Sequence, residues 1–351
     1  MKEKTLIILD SFEYRRKESL LKESLSDVCE PVFYYTRYEN KLIELFCKTK
    51  VVGGGLQHLA YWTLSLCYSI RLFFGKKYQS YIFINPIVGI FFGMLTHLFF
   101  LKKRITIGGF LFENKKNKFY LYLRKAFVNF SYYNIDKIVV YGETEVPHYK
   151  SLFPNLAKKF VFVQYGKDYD YRDKKEFAYE KPFIASGGRS NRNFQVLCDA
   201  FDLLDNSCVD CLIATRPECV SASMGKSNVQ FIYGITLNQF GSFIQRSKIF
   251  IVPLLDTNIS AGHMAMMEAM AVGTPIIVSD IPAIRNYVDE RSVTFFSPNS
   301  SLDLKEKIDY VLNRLDSAEV VDKVNYAKKM YKTSYSFAAL LKRMVLVSEK
   351  V

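Results

Sequence analysis

The chain has 351 residues, 49% hydrophobic and 24% charged. That is enough for about two buried cores, and it excludes a collagen-like, disulfide-scaffold or disordered protein. Its net charge of +13 is uneven: residues 1–176 hold 29 basic and 17 acidic residues, whereas residues 177–351 hold 19 and 18. A half so basic, and rich in Phe and Tyr, is expected to seek a polyanion, with an anionic membrane surface ahead of nucleic acid or phosphorylated substrates.

The opening Met1-Lys-Glu-Lys does not read as a secretory signal, and a strand is expected over 6–9. A helix over 15–25, a strand over 31–35 and a helix over 40–48 follow. Gly53-Gly54-Gly55 reads as a flexible turn, before an apolar helix over 57–74 that carries the single tryptophan, Trp62. Residues 80–101 form a 22-residue stretch without a fixed charge, closed by Lys102-Lys103-Arg104, long enough to span a bilayer. Asn85-Pro86 divides it, which predicts a buried strand over 81–84 and a buried or membrane-facing helix over 87–100. A strand over 104–107 ends at Gly108-Gly109. The Lys115-Lys116-Asn-Lys118 cluster opens a helix over 119–130, where solvation and contact with lipid phosphates are equally open readings. Strands over 137–141 and 160–163 end the first half, and Tyr165-Gly-Lys-Asp168 with the charged run to Glu176 reads as a linker.

The second half repeats the alternation, with strands over 183–185, 211–214, 229–232, 249–252 and 275–278. Helices are expected over 193–204, 237–245, 262–272, 302–315 and 320–331. The pattern predicts an α/β protein of two doubly wound, Rossmann-like domains, 1–170 and 171–351, facing a cleft. The last helix is a candidate to cross back to the N-terminal domain. Ligands of such folds bind at the carboxyl ends of the strands, so the cleft is the expected site.

The seven cysteines, Cys29, Cys47, Cys67, Cys198, Cys208, Cys211 and Cys219, are odd in number and thinly spread, which predicts reduced thiols in a cytosolic compartment. Cys208-Val-Asp-Cys211 lacks a second pair or a nearby His, so buried thiols are expected there rather than zinc. No Walker-type loop and no hydrolase nucleophile elbow is present.

The most informative segment runs from Ser260 to Asp280: a polar loop, an eleven-residue helix, a stop at Gly273 and a strand led by Pro275. The free N–H groups of Gly262, His263 and Met264, backed by the helix dipole, make an anion site suited to a diphosphate. Glu268 lies one turn beyond Met264 on the same face, about 6 Å along the axis, where a carboxylate accepts hydrogen bonds from a ribose diol. Ala261, Ala265 and Ala269 let the helix lie close to its neighbours.

Glu268-Ala-Met-Ala-x-Gly-Thr-Pro, followed by Ser279-Asp280-x-Pro282, resembles the donor-nucleotide segment of retaining glycosyltransferases with the GT-B fold, of the large family 4 type. Ser186-Gly-Gly188-Arg189-Ser-Asn-Arg192 resembles the loop in which two basic residues hold the donor diphosphate. Val229–Phe231, Phe250-Ile-Val-Pro253 and Gly166-x-Asp168 agree in order. The resemblance covers residues 137–315 well and residues 1–136 by pattern. It implies retention of configuration without a metal or cofactor, a nucleotide-sugar donor, and a glycan or lipid-linked acceptor in cell-surface polysaccharide synthesis. The basic N-terminal domain would then rest on the inner face of the cell membrane, through the helices over 57–74 and 87–100. Arg189, Arg192 and Glu268 are the implied catalytic residues, with Gly188, Ser260, Gly262, His263 and Met264 binding the donor.

Two positions depart from the family. Ser260 stands where members carry a Glu that contacts the donor sugar, and Gly108-Gly109 stands where an N-domain loop often carries a His. Ser260 and His263 are expected to supply replacement hydrogen bonds to the sugar, and Gly108 and Gly109 to mark the acceptor side. Asp168-Tyr-Asp170 is a possible Mg²⁺ pair of the other glycosyltransferase fold, disfavoured by its charged linker. A non-catalytic nucleotide-sugar-binding scaffold is the alternative function.

Overall fold

The computed structural model describes residues 2–10, 12–36, 53–112, 117–169, 175–204, 209–221, 229–257 and 259–349. The helix expected over 40–48 lies outside the described residues, as do Cys47, Lys115, Lys116, Asp170 and Cys208. The chain divides into two compact units, Met1–Val163 with Leu340–Val351, and Gln164–Ala339.

In the first unit the order is β1 (Lys4–Leu9), α1 (Glu18–Leu25), β2 (Glu30–Tyr35), α2 (Gly53–Phe73), β3 (Ser80–Phe83), α3 (Pro86–Leu98), β4 (Arg104–Ile107), α4 (Lys118–Ser131), β5 (Lys137–Val140), α5 (Glu145–Leu152) and β6 (Phe160–Phe162). The strands pair in parallel in the order β2-β1-β3-β4-β5-β6. Ile7, Ile82, Ile105 and Val139 are fully buried at the centre, as expected of apolar runs covered on both faces.

Asn85 turns β3 into α3: its side chain accepts the Ile87 N–H at 3.0 Å, and Pro86 takes the first helical position. Residues 80–101 are therefore strand then helix, and among the described residues no helix is long and apolar enough to cross a membrane. Helix α3 is interior through Val88, Gly89, Phe92, Gly93 and Thr96, so it is not the membrane-facing element that residues 87–100 suggest; only its exposed end, Leu98 to Leu101, is free to be one.

Gly53-Gly54-Gly55 is also not a turn but the first turn of α2. The helix that follows carries glycine's propensity cost of about 1 kcal/mol each. Helix α5 is not apparent in the sequence because it contains Pro147, which sits in its first turn, where no intrahelical N–H bond is lost. The buried Glu145 starts it by accepting the Tyr141 and Gly142 N–H groups at 3.1 and 2.8 Å.

The second unit holds β7 (Phe183–Gly187), α6 (Phe194–Asp202), β8 (Asp210–Ala214), β9 (Val229–Ile232), α7 (Leu237–Arg246), β10 (Phe250–Val252), α8 (His263–Val272), β11 (Ile276–Ser279), α9 (Pro282–Arg285), β12 (Thr294–Phe296), α10 (Ser301–Leu312), α11 (Ala318–Ser334) and α12 (Phe337–Glu349). Its parallel sheet has the order β12-β11-β10-β7-β8-β9, so strand order reverses between β7 and β10. Gln164 Nε2 donates to the Asn286 carbonyl and the Tyr165 N–H to Tyr287 Oη, both at 2.7 Å. These bonds attach the connector to the second unit from residue 164 onward, ahead of residue 170. Helix α12 starts in this unit, and from Leu340 its residues belong to the first.

Candidate functional site

In doubly wound sheets a ligand site forms beyond the carboxyl ends of the strands where the order reverses. In the second unit those strands are β7 and β10, and the loops that follow them are stitched together. The Asn193 N–H donates to the Pro253 carbonyl at 3.0 Å, and the Leu255 N–H to the Asn191 carbonyl at 3.1 Å. Ser279, from the Ser279-Asp280 motif, accepts the Leu254 N–H on its hydroxyl at 2.8 Å. The buried Leu254 also lies under Gly262: a Cβ there would come within 3.1 Å of its methyl groups, and the Gly262 φ of +83° is left-handed. Glycine is thus required where the loop after β10 enters α8. One residue, Leu254, therefore supports both the Arg192 loop and the start of the helix.

Among the described residues no side chain caps that start. The N–H groups of Gly262, His263 and Met264 head a helix of ten residues, and helix starts of this kind bind anions. The His263 side chain is not at the site's surface, contrary to the expectation that it would hydrogen-bond the sugar. It is buried, with Nε2 donating to the Ala283 carbonyl at 3.1 Å and Nδ1 accepting the Ser260 hydroxyl at 2.8 Å. The carbonyl can only accept, so the proton sits on Nε2 and both ring nitrogens are engaged. Burial, and secondarily the nearby Arg192 charge, push the imidazole down to about 4.

A base whose folded pKa is depressed stabilises the fold above its unfolded pKa of 6.5 and loses that contribution as pH falls toward 4. Urea unfolding of the wild type is expected to lose about 3 kcal/mol more between pH 7 and pH 4 than the non-titrating His263→Gln variant. Equal losses in the two proteins would contradict this role.

Arg192 is half-buried and its backbone bridges Leu254, the residue beneath Gly262, so the structure brings the two expected parts of the site together. Its Nε donates to the Gly187 carbonyl and one Nη1 hydrogen to the Ser190 carbonyl, both at 2.9 Å, leaving three N–H donors for a ligand. Burial pushes the guanidinium down to about 10, and it stays charged at neutral pH. Gly188, with φ +121°, lies against it: a Cβ would sit 2.4 Å from Nη2. Arg189 is exposed and makes no ion pair among the described residues.

Glu268 is half-buried on α8. Two tyrosines that the sequence did not single out border it. Tyr331, held up at about 12 chiefly by burial, feels the Asp168 and Glu268 charges, and Tyr169 donates its hydroxyl to the Met264 carbonyl. Their rings lie 6.0 Å apart. Only their aromatic character marks them in the sequence, which is too common a signal here. Asp168 accepts the Phe337 N–H at 3.0 Å at the start of α12, a structural task. Among the described residues no group of three or more His, Cys, Asp and Glu side chains could hold a metal.

In the first unit the order reverses between β1 and β3. Ile8 pairs with Phe83, so the residues two beyond them, Asp10 and Asn85, emerge side by side. Desolvation raises the Asp10 carboxyl above its usual range, and Asn85 donates to the Tyr61 hydroxyl at 2.7 Å. Gly108 and Gly109 follow the next strand, β4, with Tyr141 beside both and Met344 against Gly108. Asp10 and Asn85 were legible only as strand ends, which single out no residue until the topology is known.

Residues 181–314 match the model of the family described as Glycosyl transferases group 1. No curated protein matches the chain in sequence. Among solved structures the chain is similar, over 99% of its length, to a glycosyltransferase from Rickettsia africae (13% identity, TM-score 0.62, 98% of that chain). It is similar over the same share to Anabaena HepE in complex with UDP-glucose (10%, 0.63, 100% of that chain). A sucrose-phosphate synthase from Thermosynechococcus elongatus gives 12%, 0.60 and 98% of that chain, again over 99% of this one. Two parallel sheets, each with its reversal point, and the likeness to these structures lead to one conclusion: the chain has the GT-B fold, and its residues 181–314 match the group 1 glycosyltransferase family model.

Proposed function

We propose that the protein moves a sugar from a nucleoside-diphosphate-sugar donor to a glycan or lipid-linked acceptor of cell-surface polysaccharide synthesis, at the cytoplasmic face of a membrane. The observation that carries this reading is that the start of α8, without a side-chain cap among the described residues, and the Arg192 loop meet on Leu254 at the reversal point of the second sheet. Neighbours in fold include HepE structures with UDP and with UDP-glucose, which agrees with a diphosphate-linked donor.

Negative charge grows on the diphosphate as the bond to the sugar breaks. Arg192, the exposed Arg189 and the N–H groups of Gly262 to Met264 would take it up, as fixed donors that need no reorganisation. Glu268 would receive the ribose hydroxyls one turn further along α8. Ser260, whose proton is committed to His263, would meet the sugar as an acceptor. The acceptor's proton would pass to the departing phosphate, with retention of configuration and no metal.

A thermal-shift panel of UDP, GDP and their sugars tests the reading. One nucleotide at about a hundredfold excess over its Kd is expected to raise the Tm by about 5–10 °C. No shift with any of them would overturn it, and binding without hydrolysis or transfer would favour the scaffold alternative.

A further inference from the structure

Helix α2 is amphipathic the wrong way round for a soluble protein. Its inward side carries Ser65 and Ser69, both fully buried, with the Ser69 hydroxyl bonded to the Val88 carbonyl of α3 at 2.8 Å. Its outward side carries Leu59, Trp62, Leu66 and Ile70, all exposed and spaced three or four apart, with Phe74 just past the end. Helix α4 repeats the arrangement, with Val128 and Ser131 inside and Phe119, Leu123, Phe127 and Phe130 exposed at the same spacing.

The two stripes are joined at the middle of α3 and at its C-terminal end. Trp62 lies 5.9 Å from Phe91 and 6.4 Å from Phe127 between ring centroids. At the C-terminal end Phe73 packs at 5.2 Å on Phe99, and His97 at 5.3 Å on Phe130. Beyond α3 the chain makes a tip, Phe99-Phe100-Leu101, in which Phe100 is 91% exposed with a left-handed φ of +52°. An aromatic residue is held there in a conformation that sterics disfavour. The result is one continuous apolar face within the first unit, more than a soluble surface ordinarily leaves open.

Charge indicates what covers this face. Residues 53–135 contain eleven Lys and Arg against a single acidic residue, Glu113, so most of the chain's excess charge belongs to these elements. Lys76, Lys77 and Lys102 are exposed beside the tip, and Lys118 opens α4. Continuous Leu, Ile, Phe and Trp stripes rimmed by cations fit a lipid surface better than a nucleic acid, which asks for separate stacking platforms.

We propose that the exposed stripes of α2 and α4, together with the Phe99–Leu101 tip, form a surface that inserts into the interfacial layer of an anionic bilayer. The tip and Trp62 would enter the acyl boundary, and Lys76, Lys77, Lys102 and Lys118 would contact lipid phosphates. This rests on the membrane placement proposed above and adds which face meets the lipid and how deeply.

Trp62 is the only tryptophan and serves as a built-in depth reporter. The full-length protein would be mixed with vesicles of phosphatidylcholine containing about 30% phosphatidylglycerol, and with phosphatidylcholine alone. Binding to the anionic vesicles is expected, with a blue shift of Trp62 emission and quenching by lipids brominated on the acyl chain. Phe99→Ser with Phe100→Ser, and separately Lys102→Glu with Lys103→Glu, are expected to weaken binding about tenfold or more. Both variants should keep the wild-type Tm and nucleotide thermal shift, because the substituted residues lie outside the first unit's core and the nucleotide site is built from residues of the second unit. Vesicle binding with an unquenched Trp62 and wild-type affinity in both variants would overturn the assignment of this face while leaving the membrane placement standing. Absence of vesicle binding, with self-association or retention on RNA instead, would overturn both.

Discussion

Replacing Arg192 with Ala is expected to lower the rate of sugar transfer about a hundredfold to a thousandfold, the cost typical of removing one fixed donor from a developing anion. Arg192 is held by two backbone carbonyls, Gly187 and Ser190, so its remaining donors are aimed before any ligand arrives. Lysine cannot make both anchoring bonds, and Arg192→Lys is expected to recover little. Gly188→Ala should resemble the arginine loss, because the new methyl group would occupy the space of the Nη2 atom. Among the described residues Arg189 has no such anchors, and Arg189→Ala is expected to cost about tenfold, the value of one exposed charge-assisted contact. Steady-state kinetics on the four variants check the order. Equal rates for Arg192→Ala and wild type would remove Arg192 from the site.

Glu268→Ala is expected to act on the other end of the donor. A charged group that accepts hydrogen bonds from a ribose diol contributes about 1.5–3 kcal/mol, so the donor KM should rise about ten- to a hundredfold with a smaller change in kcat. The distinguishing control is inorganic pyrophosphate, which has no ribose. Its affinity should be unchanged in Glu268→Ala and reduced in Arg192→Ala. If Glu268 only supports Tyr331, whose phenol feels its charge, the variant would lose Tm and leave the nucleotide KM unaltered.

Much of the second unit was legible in the sequence because local signals there are strong. Apolar runs such as Val229 to Ile232 coincide with β9. The Gly262 and Gly273 pair brackets α8, and both glycines have left-handed φ values, which accounts for their places in the motif. Helix α9 and strand β12, of four and three residues, are too short to show a period. In the first unit Gly53 to Gly55 misled, because tertiary packing outweighs local propensity. The interior position of α3 was hidden for a related reason: an apolar helix over 87–98 reads alike whether protein or lipid surrounds it, and the exposed stripes lie on its neighbours.

Within the site, residue types and spacing showed where an anion would bind but not which side chains face it. His263 belongs to the same tripeptide as Gly262 and Met264, and only its bonds to Ser260 and Ala283 reveal that its imidazole is structural. Tyr169 comes from the connector and Tyr331 from α11, far apart in sequence, so nothing local pairs them with Glu268.

The most direct test is an experimental structure of the protein with a bound nucleoside diphosphate. The diphosphate is expected within hydrogen-bond distance of the Gly262 to Met264 N–H groups and the Arg192 guanidinium, with the ribose hydroxyls on Glu268. A diphosphate bound away from the start of α8, with Arg192 turned from it, would contradict the central assignment.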